Sequence, residues 1–413
     1  MLALGVPTVA LCDDSAAQRG TESDAESAKS RDDTPIVETE ATVDGLERVQ
    51  RAAQAAISGL AIRFGGDLRT IYEYFNVQAR DGRTSSNDAL GMRLRMGAEW
   101  GVTESLNFGA RVAGTCFVDD CAPEFVMQRA APGPAGLERG QFTFDQLYVG
   151  WATSERLSIA VGRLQTRFVL RSGVFAKSLD RNNSNNVNVN WTDGLQATYH
   201  AANGWTSSLV MEQNAPGGSG SIRRFPLDFD HPGARNTLFV GFENLQNWGP
   251  IVQRAFDISY LPSSLLQDGG PAGRRVDYWG LVGRLAARWP LGSKGMRLRG
   301  GLEVGYAPVT PSAAVRNLTG ETNGLAWDVV VSLMDFRPGH SIGVNYAHTG
   351  AGWLLSPQFA PNDELFEIRY LWQAPKLPLL EARVRWREEL EQPIGGLQRG
   401  EVFDLYVRLT WQF

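Results

Sequence analysis

The sequence predicts an all-β protein, a transmembrane antiparallel up-and-down β-barrel of about 16 strands with a short amphipathic helix before it. Three observations carry that prediction. Long segments alternate apolar and polar residues with period two, tight turns alternate with long connections, and the last alternating segment runs to the C-terminal residue, Phe413. Leu90 to Trp100 shows the repeating unit: Leu90, Met92, Leu94, Met96, Ala98 and Trp100 share one face, and Gly91, Arg93, Arg95, Gly97 and Glu99 the other. Successive side chains of a strand point to opposite sides, so this is a strand with unlike faces. A soluble sandwich alternates too, but it rarely needs about 11 residues per strand. Roughly 9–11 tilted residues cross the hydrocarbon of a bilayer, apolar side chains outward to lipid and polar ones inward.

Composition agrees. The 413 residues are 43% hydrophobic, yet the mean hydropathy of -0.23 would pass as soluble. A barrel escapes hydropathy averaging because only half of each strand meets lipid. No run of about 18 apolar residues is present, which excludes a helical membrane protein. A net charge of -5, with no basic patch, argues against a nucleic-acid partner.

Residues 1–17 look like the apolar core of a secretory signal that lacks its basic start, with cleavage near Ala17. An acylated Cys12 is the other reading, disfavoured by the bulky Leu11 before it. Residues 18–42 are polar, acidic and aperiodic, and are expected to be a disordered linker. In 43–62, Leu46, Val49, Ala53, Ala56 and Leu60 form a helical stripe. It reads as a periplasmic helix leaning on the barrel or a neighbour, with an oligomerising stalk or a plug at the pore mouth as alternatives.

The barrel is expected over 67–413, with strands at 67–78, 89–101, 104–115, 141–152, 156–166, 191–201, 204–213, 235–246, 251–261, 276–290, 296–307, 324–335, 340–349, 364–373, 379–390 and 401–413. Alternation is clean in 296–306 and 380–386 and equally regular in 403–413; the first and fourth strands are ambiguous in phase. Tight turns at 101–105, 153–156, 201–204, 247–250, 291–295, 335–340 and 374–378 alternate with long connections at 79–88, 116–140, 167–190, 214–234, 262–275, 308–323, 350–363 and 391–400. An up-and-down barrel obeys that rule, with short periplasmic turns and long outer loops; a Greek-key sandwich has no reason to. An even number of strands puts both chain ends in the periplasm. Trp100, Trp151, Trp289, Trp386, Trp411 and Phe413 stand near strand ends beside short turns or the C-terminus, as an aromatic girdle at the headgroup level would.

With apolar faces outward, the inward cations are Arg93, Arg95, Arg111, Arg284, Arg288, Arg297, Arg299, Arg369, Arg383, Arg385, Arg387 and Arg408. The inward acids are Glu99, Glu243, Glu303, Asp328, Glu367, Glu381 and Asp404. Twelve cations against seven anions imply a net-positive bore and a mild anion preference, with no useful selectivity, through pairing of inward arginines and acids, or a cation preference as the alternatives. Inward placement is required anyway, since Arg or Lys facing mid-bilayer lipid costs about 2–4 kcal/mol. The connection 167–190 mixes apolar anchors (Phe168, Leu170, Val174, Phe175, Leu179) with Lys177, Asp180, Arg181, Asn182 and Asn183. Apolar anchors suit packing on a wall and polar residues suit lining water, so this loop is the expected constriction, with a folded outer lid as the alternative.

Cys116 and Cys121 read as a short-loop disulfide of an exported protein, because no His or second Cys pair accompanies them. Four histidines (His200, His231, His340, His348) have no nucleophile or acid at triad spacing, and no metal-ligand cluster or calcium-loop spacing is found. Neither catalysis nor a metal or other cofactor is expected.

Certain segments resemble a known family. The terminal Tyr406-Val-Arg-Leu-Thr-Trp-Gln-Phe413 resembles the closing-strand signal of Gram-negative outer-membrane barrels, whose C-terminal aromatic is read by the barrel-assembly machinery. Phe144-Asp-Gln-Leu-Tyr-Val-Gly-Trp151, Val161-Gly-Arg-Leu-Gln-Thr166 and Trp191-Thr-Asp-Gly-Leu-Gln196 are similar to the strand–loop–strand pattern of porins, of the phosphate-selective type and more loosely of alginate-export-type barrels. In those, Gly-Arg leads into the pore loop and Asp-Gly opens the next strand. The resemblance covers about residues 67–413 and departs from general porins in lacking an acidic constriction-loop motif. It implies passive passage of small hydrophilic solutes, contact with outer-membrane lipid and lipopolysaccharide, and association as a homotrimer. A plugged anchoring or adhesion barrel, or an export pore for an acidic polysaccharide, are the alternatives.

Overall fold

The computed structural model describes residues 62–118, 121, 123–125, 140–180, 191–214, 235–266, 275–292, 295–320, 322–356 and 359–413. Its strands are β1 (Ile62–Gln78), β2 (Thr84–Gly101), β3 (Leu106–Phe117), the two-residue β4 (Glu124–Phe125), β5 (Gln141–Ala152), β6 (Leu157–Leu164), β7 (Thr192–His200) and β8 (Trp205–Asn214). They continue as β9 (Arg235–Asn244), β10 (Ile251–Leu266), β11 (Arg275–Pro290), β12 (Arg297–Tyr306), β13 (Leu325–Arg337), β14 (His340–Thr349), β15 (Asp363–Trp372), β16 (Leu379–Glu389) and β17 (Glu401–Gln412). Apart from β4, which pairs parallel to β5 inside a loop, every strand pairs antiparallel with its sequence neighbours. The last strand pairs with the first from Asp67↔Gln412 to Gln78↔Glu401, and the Phe413 carbonyl accepts the Gly66 N–H at 2.9 Å. The result is a closed barrel of 16 strands. Closure removes both free edges, which is what lets strands cross lipid.

Every expected strand is present, and three run five residues further than expected. β1 begins at Ile62, the last residue of the expected helix over 43–62 and five residues before the expected barrel start at 67. Ile62 and Phe64 continue the outward apolar face, while Gly65 and Gly66 conceal the alternation in the sequence. The rest of that helix, the leader and the linker lie outside the described residues. β2 begins at Thr84, because Thr84 to Asp88 pair with Gln78 to Tyr74 of β1; the first outer connection is therefore only 79–83. β10 continues to Leu266 through an irregular register after Leu261. At 16 to 18 residues, β1, β2, β10 and β11 exceed the roughly 9–11 that a bilayer needs, and project past it.

Phase follows burial. In β15, Asp363, Leu365, Glu367, Arg369 and Leu371 are buried while Phe366 and Ile368 are exposed, and β13, β14, β16 and β17 repeat the pattern. The fourth barrel strand is ambiguous in sequence because β5 carries a bulge: Arg111 pairs with Gln146 but Val112 with Phe144, leaving Asp145 extra. The bulge lets Thr143 and Asp145 face inward on one side of it, and Tyr148 and Gly150 on the other.

Trp100, Trp151, Trp289, Trp411 and Phe413 are exposed on the outer face at the short-turn end or at the C-terminus. Trp386 is equally exposed but sits elsewhere. It pairs with Phe403 near the start of β17, toward the long-loop rim, and its indole donates to Glu401 at 2.6 Å. Its eighth place in an eleven-residue strand carries it across the bilayer from the other tryptophans.

Candidate functional site

The inner face is built from charge. Arg93, Arg95, Arg284, Arg299, Arg369, Arg383, Arg385, Arg387 and Arg408 are buried on it, as are Glu303, Asp328, Glu367, Glu381 and Asp404. Glu99, Arg288, Arg297 and Glu243 occupy inward positions nearer the strand ends and Arg111 one in the middle of β3, and all five are partly covered. Arg297 pairs with Asp335 at 2.9 Å.

Strand phase also brings in acids that sequence reading passed over: Asp67, Glu73, Asp145, Asp193, Glu212, Asp257 and Asp363. Asp67 and Glu73 were hidden by the phase ambiguity of β1, and Asp145 by the β5 bulge. Among the described residues, twelve cationic and twelve acidic side chains are buried, so the count of twelve against seven does not hold. What the fold does instead is segregate them. On β15, β16, β17, β1 and β2 lie eight buried arginines and five carboxylates; on β5 to β13 with the segment before Arg181 lie four cations and seven carboxylates. The first group centres on β17 and the second on β9, halfway round the barrel from each other.

On the arginine-rich arc, single carboxylates bridge two arginines. Asp404 takes Arg383 and Arg385, each at 2.6 Å. Glu381 takes Arg408 at 2.6 Å and Arg369 at 3.3 Å, and Asp67 takes Arg93 at 2.6 Å and Arg69 at 3.6 Å. Register places Arg369 opposite Arg383 and Arg69 opposite Arg93, so like charges face each other across adjacent strands. Directly opposed like charges destabilise a sheet, and the bridging carboxylates offset this.

The segment from Arg167 to Asp180 packs on the inner wall. Leu170, Val174, Phe175, Lys177, Leu179 and Asp180 are all buried. Its first half is tied to β9 and β10: the Arg171 N–H donates to Gln253 at 2.8 Å, and the Gln253 amide donates to the Val169 carbonyl at 2.9 Å. Gly173 makes the tip, with φ of +99° and no room for a Cβ against Met334 and Ser332. Gly301 and Gly343 are notches in the wall; a Cβ there would lie 2.8 Å from Leu170 and 2.5 Å from Val174. Lys177 donates to Asn345 and Glu367, each at 2.7 Å, and Asp180 pairs with Arg284. Arg284 also holds Asp257 and Glu303. Arg181, Asn182 and Asn183 lie outside the described residues.

The neck of this segment is the pattern that carried the family resemblance. Arg163 donates to both oxygens of Asp193, at 3.0 and 3.2 Å, and stacks on Trp191 at 4.3 Å. Gly162 and Gly194 face each other across β6 and β7. The Gly-Arg and Asp-Gly pairs thus clasp the two strands from which the segment leaves.

Sequence reading missed a second inward connection, 350–362. Trp353, Leu354, Leu355 and Phe359 are buried with Leu179 against Leu261, Tyr278, Ala326 and Leu365. The signal was present in the sequence as apolar residues in the run Gly352-Trp-Leu-Leu355 within an outer loop. Cys116 and Cys121 are joined as a disulfide, their Cα atoms 4.8 Å apart.

Solved structures share this fold. OprB of Pseudomonas putida matches with a TM-score of 0.52 at 13% identity, over 84% of this chain and 94% of its own. OccK8 (OprE) of Pseudomonas aeruginosa gives 0.52 at 12% identity over 85% and 98%. A structure described as an anion-selective porin from Comamonas acidovorans gives 0.50 at 13% identity over 85% and 100%. The chain is therefore a 16-strand barrel of the porin fold, matched along nearly the whole length of these proteins. No protein-family model and no curated protein matches it.

Proposed function

We propose that this protein is an outer-membrane channel for passive diffusion of small hydrophilic solutes, with a mild preference for anions. The observation that carries the reading is the inward segment 167–180, bonded to the wall of a barrel whose inner face is charged. Sixteen strands enclose an aqueous bore where eight would be filled by side chains. Anion preference rests on the arginine-rich arc rather than on a total count. Much of the acid-rich arc is engaged with the inward segment, through Arg284 and through the Leu179 N–H on Glu303. Both termini would face the periplasm, Trp411 and Phe413 would be read by the assembly machinery, and the outer face would meet lipid and lipopolysaccharide, in a homotrimer.

Planar-bilayer recording of the purified, heat-modifiable protein tests this. Discrete conductance steps are expected, with a reversal potential displaced toward anions in a salt gradient. Replacing Arg383, Arg385 and Arg408 together by Gln should move that potential toward cations. A folded protein without steps would remove the channel reading; an unmoved potential would remove the anion preference alone.

A further inference from the structure

The two inward connections are hydrogen-bonded to each other at Leu179, and that contact has the geometry of a latch. Leu179 is fully buried and both its backbone polar groups are engaged: its N–H donates to Glu303 at 3.0 Å, and its carbonyl accepts the Trp353 indole N–H at 2.9 Å. Trp353, also fully buried, lies in a seat cut into the barrel wall. A Cβ on Gly305 would come within 2.8 Å of the indole, and one on Gly280 within 2.2 Å of Leu355. Tyr278 fixes the connection from the other side, donating to the Gly352 carbonyl at 3.0 Å and accepting the Leu354 N–H at 2.9 Å. Farther back, the Gly350 and Gly352 N–H groups donate to the Leu325 and Asn323 carbonyls at 2.8 and 2.7 Å.

We propose that Trp353 is the positioning residue of the constriction: by bonding the Leu179 carbonyl from a glycine-cut seat, it holds the far end of segment 167–180 on the wall and so sets the width of the bore. This rests on the channel reading, but its structural half does not. Lys177 and Asp180 hold the segment through buried ion pairs to the wall; the Trp353 contact adds a neutral bond in an apolar pocket at the segment's far end. Removing the donor leaves a buried carbonyl without its partner, and the segment relieves that by leaving the wall.

The test uses the full-length protein with Ala176→Cys as a reporter inside the segment, where the native side chain is 3% exposed. A membrane-impermeant thiol reagent is applied to folded, heat-modifiable protein, with labelling of the parent as background. Trp353→Ala should raise the labelling rate roughly tenfold, the order expected for an unsatisfied buried acceptor, and Trp353→Phe, which removes the same donor while keeping an apolar ring in the seat, should raise it as well. The same variants should show larger unitary conductance and noisier open levels. Should Trp353→Ala fail to fold, Tyr278→Phe removes the bonds to Gly352 and Leu354 while keeping the ring, and should act in the same direction. Unchanged labelling and unchanged conductance in a folded variant would overturn the latch. A wild-type protein that does not conduct would end the channel reading, and the labelling comparison would still decide whether Trp353 holds the segment.

Discussion

The two arcs of the inner face solve the same electrostatic problem in opposite ways. On the arginine-rich arc, one carboxylate is shared by two cations, as Asp404 is between Arg383 and Arg385. On the acid-rich arc, one cation is shared by three carboxylates: Arg284 holds Asp180, Asp257 and Glu303. Both arrangements leave a local excess of charge, of opposite sign, on opposite sides of the barrel. The lesson is that each arc depends on its minority charge. The bridging acids keep the arginines together, and Arg284 keeps the acids and the inward segment together.

Arg284→Met should therefore have the largest effect of any single change. It strands three buried carboxylates and frees Asp180 from the wall. Breaking a buried pair costs about 3–5 kcal/mol, and here one residue serves three partners. The heat-modifiable folded band should be lost or its melting strongly lowered. A variant that folds with wild-type stability would show that water, rather than Arg284, compensates those acids.

Asp404→Asn makes the mirror experiment and should do less. The amide retains hydrogen-bond acceptance for one arginine while removing the shared negative charge, so the arc becomes more positive. The reversal potential should move further toward anions with the barrel still folded. An unmoved potential would mean that the arginine-rich arc does not face the permeation path.

The strands, the closing terminus and the inward-pointing arginines were legible in the sequence because period-two alternation is a strong signal on long strands. The inner acids were not, for local reasons. Ile71 faces inward among Arg69 and Glu73, which blurs the phase of β1, and the bulge at Asp145 changes phase in mid-strand. The charge balance of the bore could be counted only once those phases were known. Likewise, Lys177 and Asp180 suggested an inward loop, but their partners Glu367 and Arg284 lie more than a hundred residues away. No local pattern announces such pairings. Trp353 was passed over for a different reason, since the short apolar run that carries it lies in a loop and has no periodicity.

The smallest effect belongs one residue from one of the larger ones. Trp386 and Arg385 are neighbours on β16 that face opposite ways, Trp386 outward to Glu401 and Arg385 inward to Asp404. Trp386→Phe keeps the apolar ring at the rim and loses only a bond to a partly exposed carboxylate, a change of about 1 kcal/mol or less. Its melting temperature should stay close to wild type and its reversal potential should not move. Arg385→Gln, by contrast, takes a cation from the inner arc and should displace the potential toward cations. The pair thus tests the assignment of faces with a single residue's shift along one strand. If Trp386→Phe moved the potential as Arg385→Gln does, β16 would be turned inside out relative to the register described here, and the segregation of charge between the arcs would have to be redrawn.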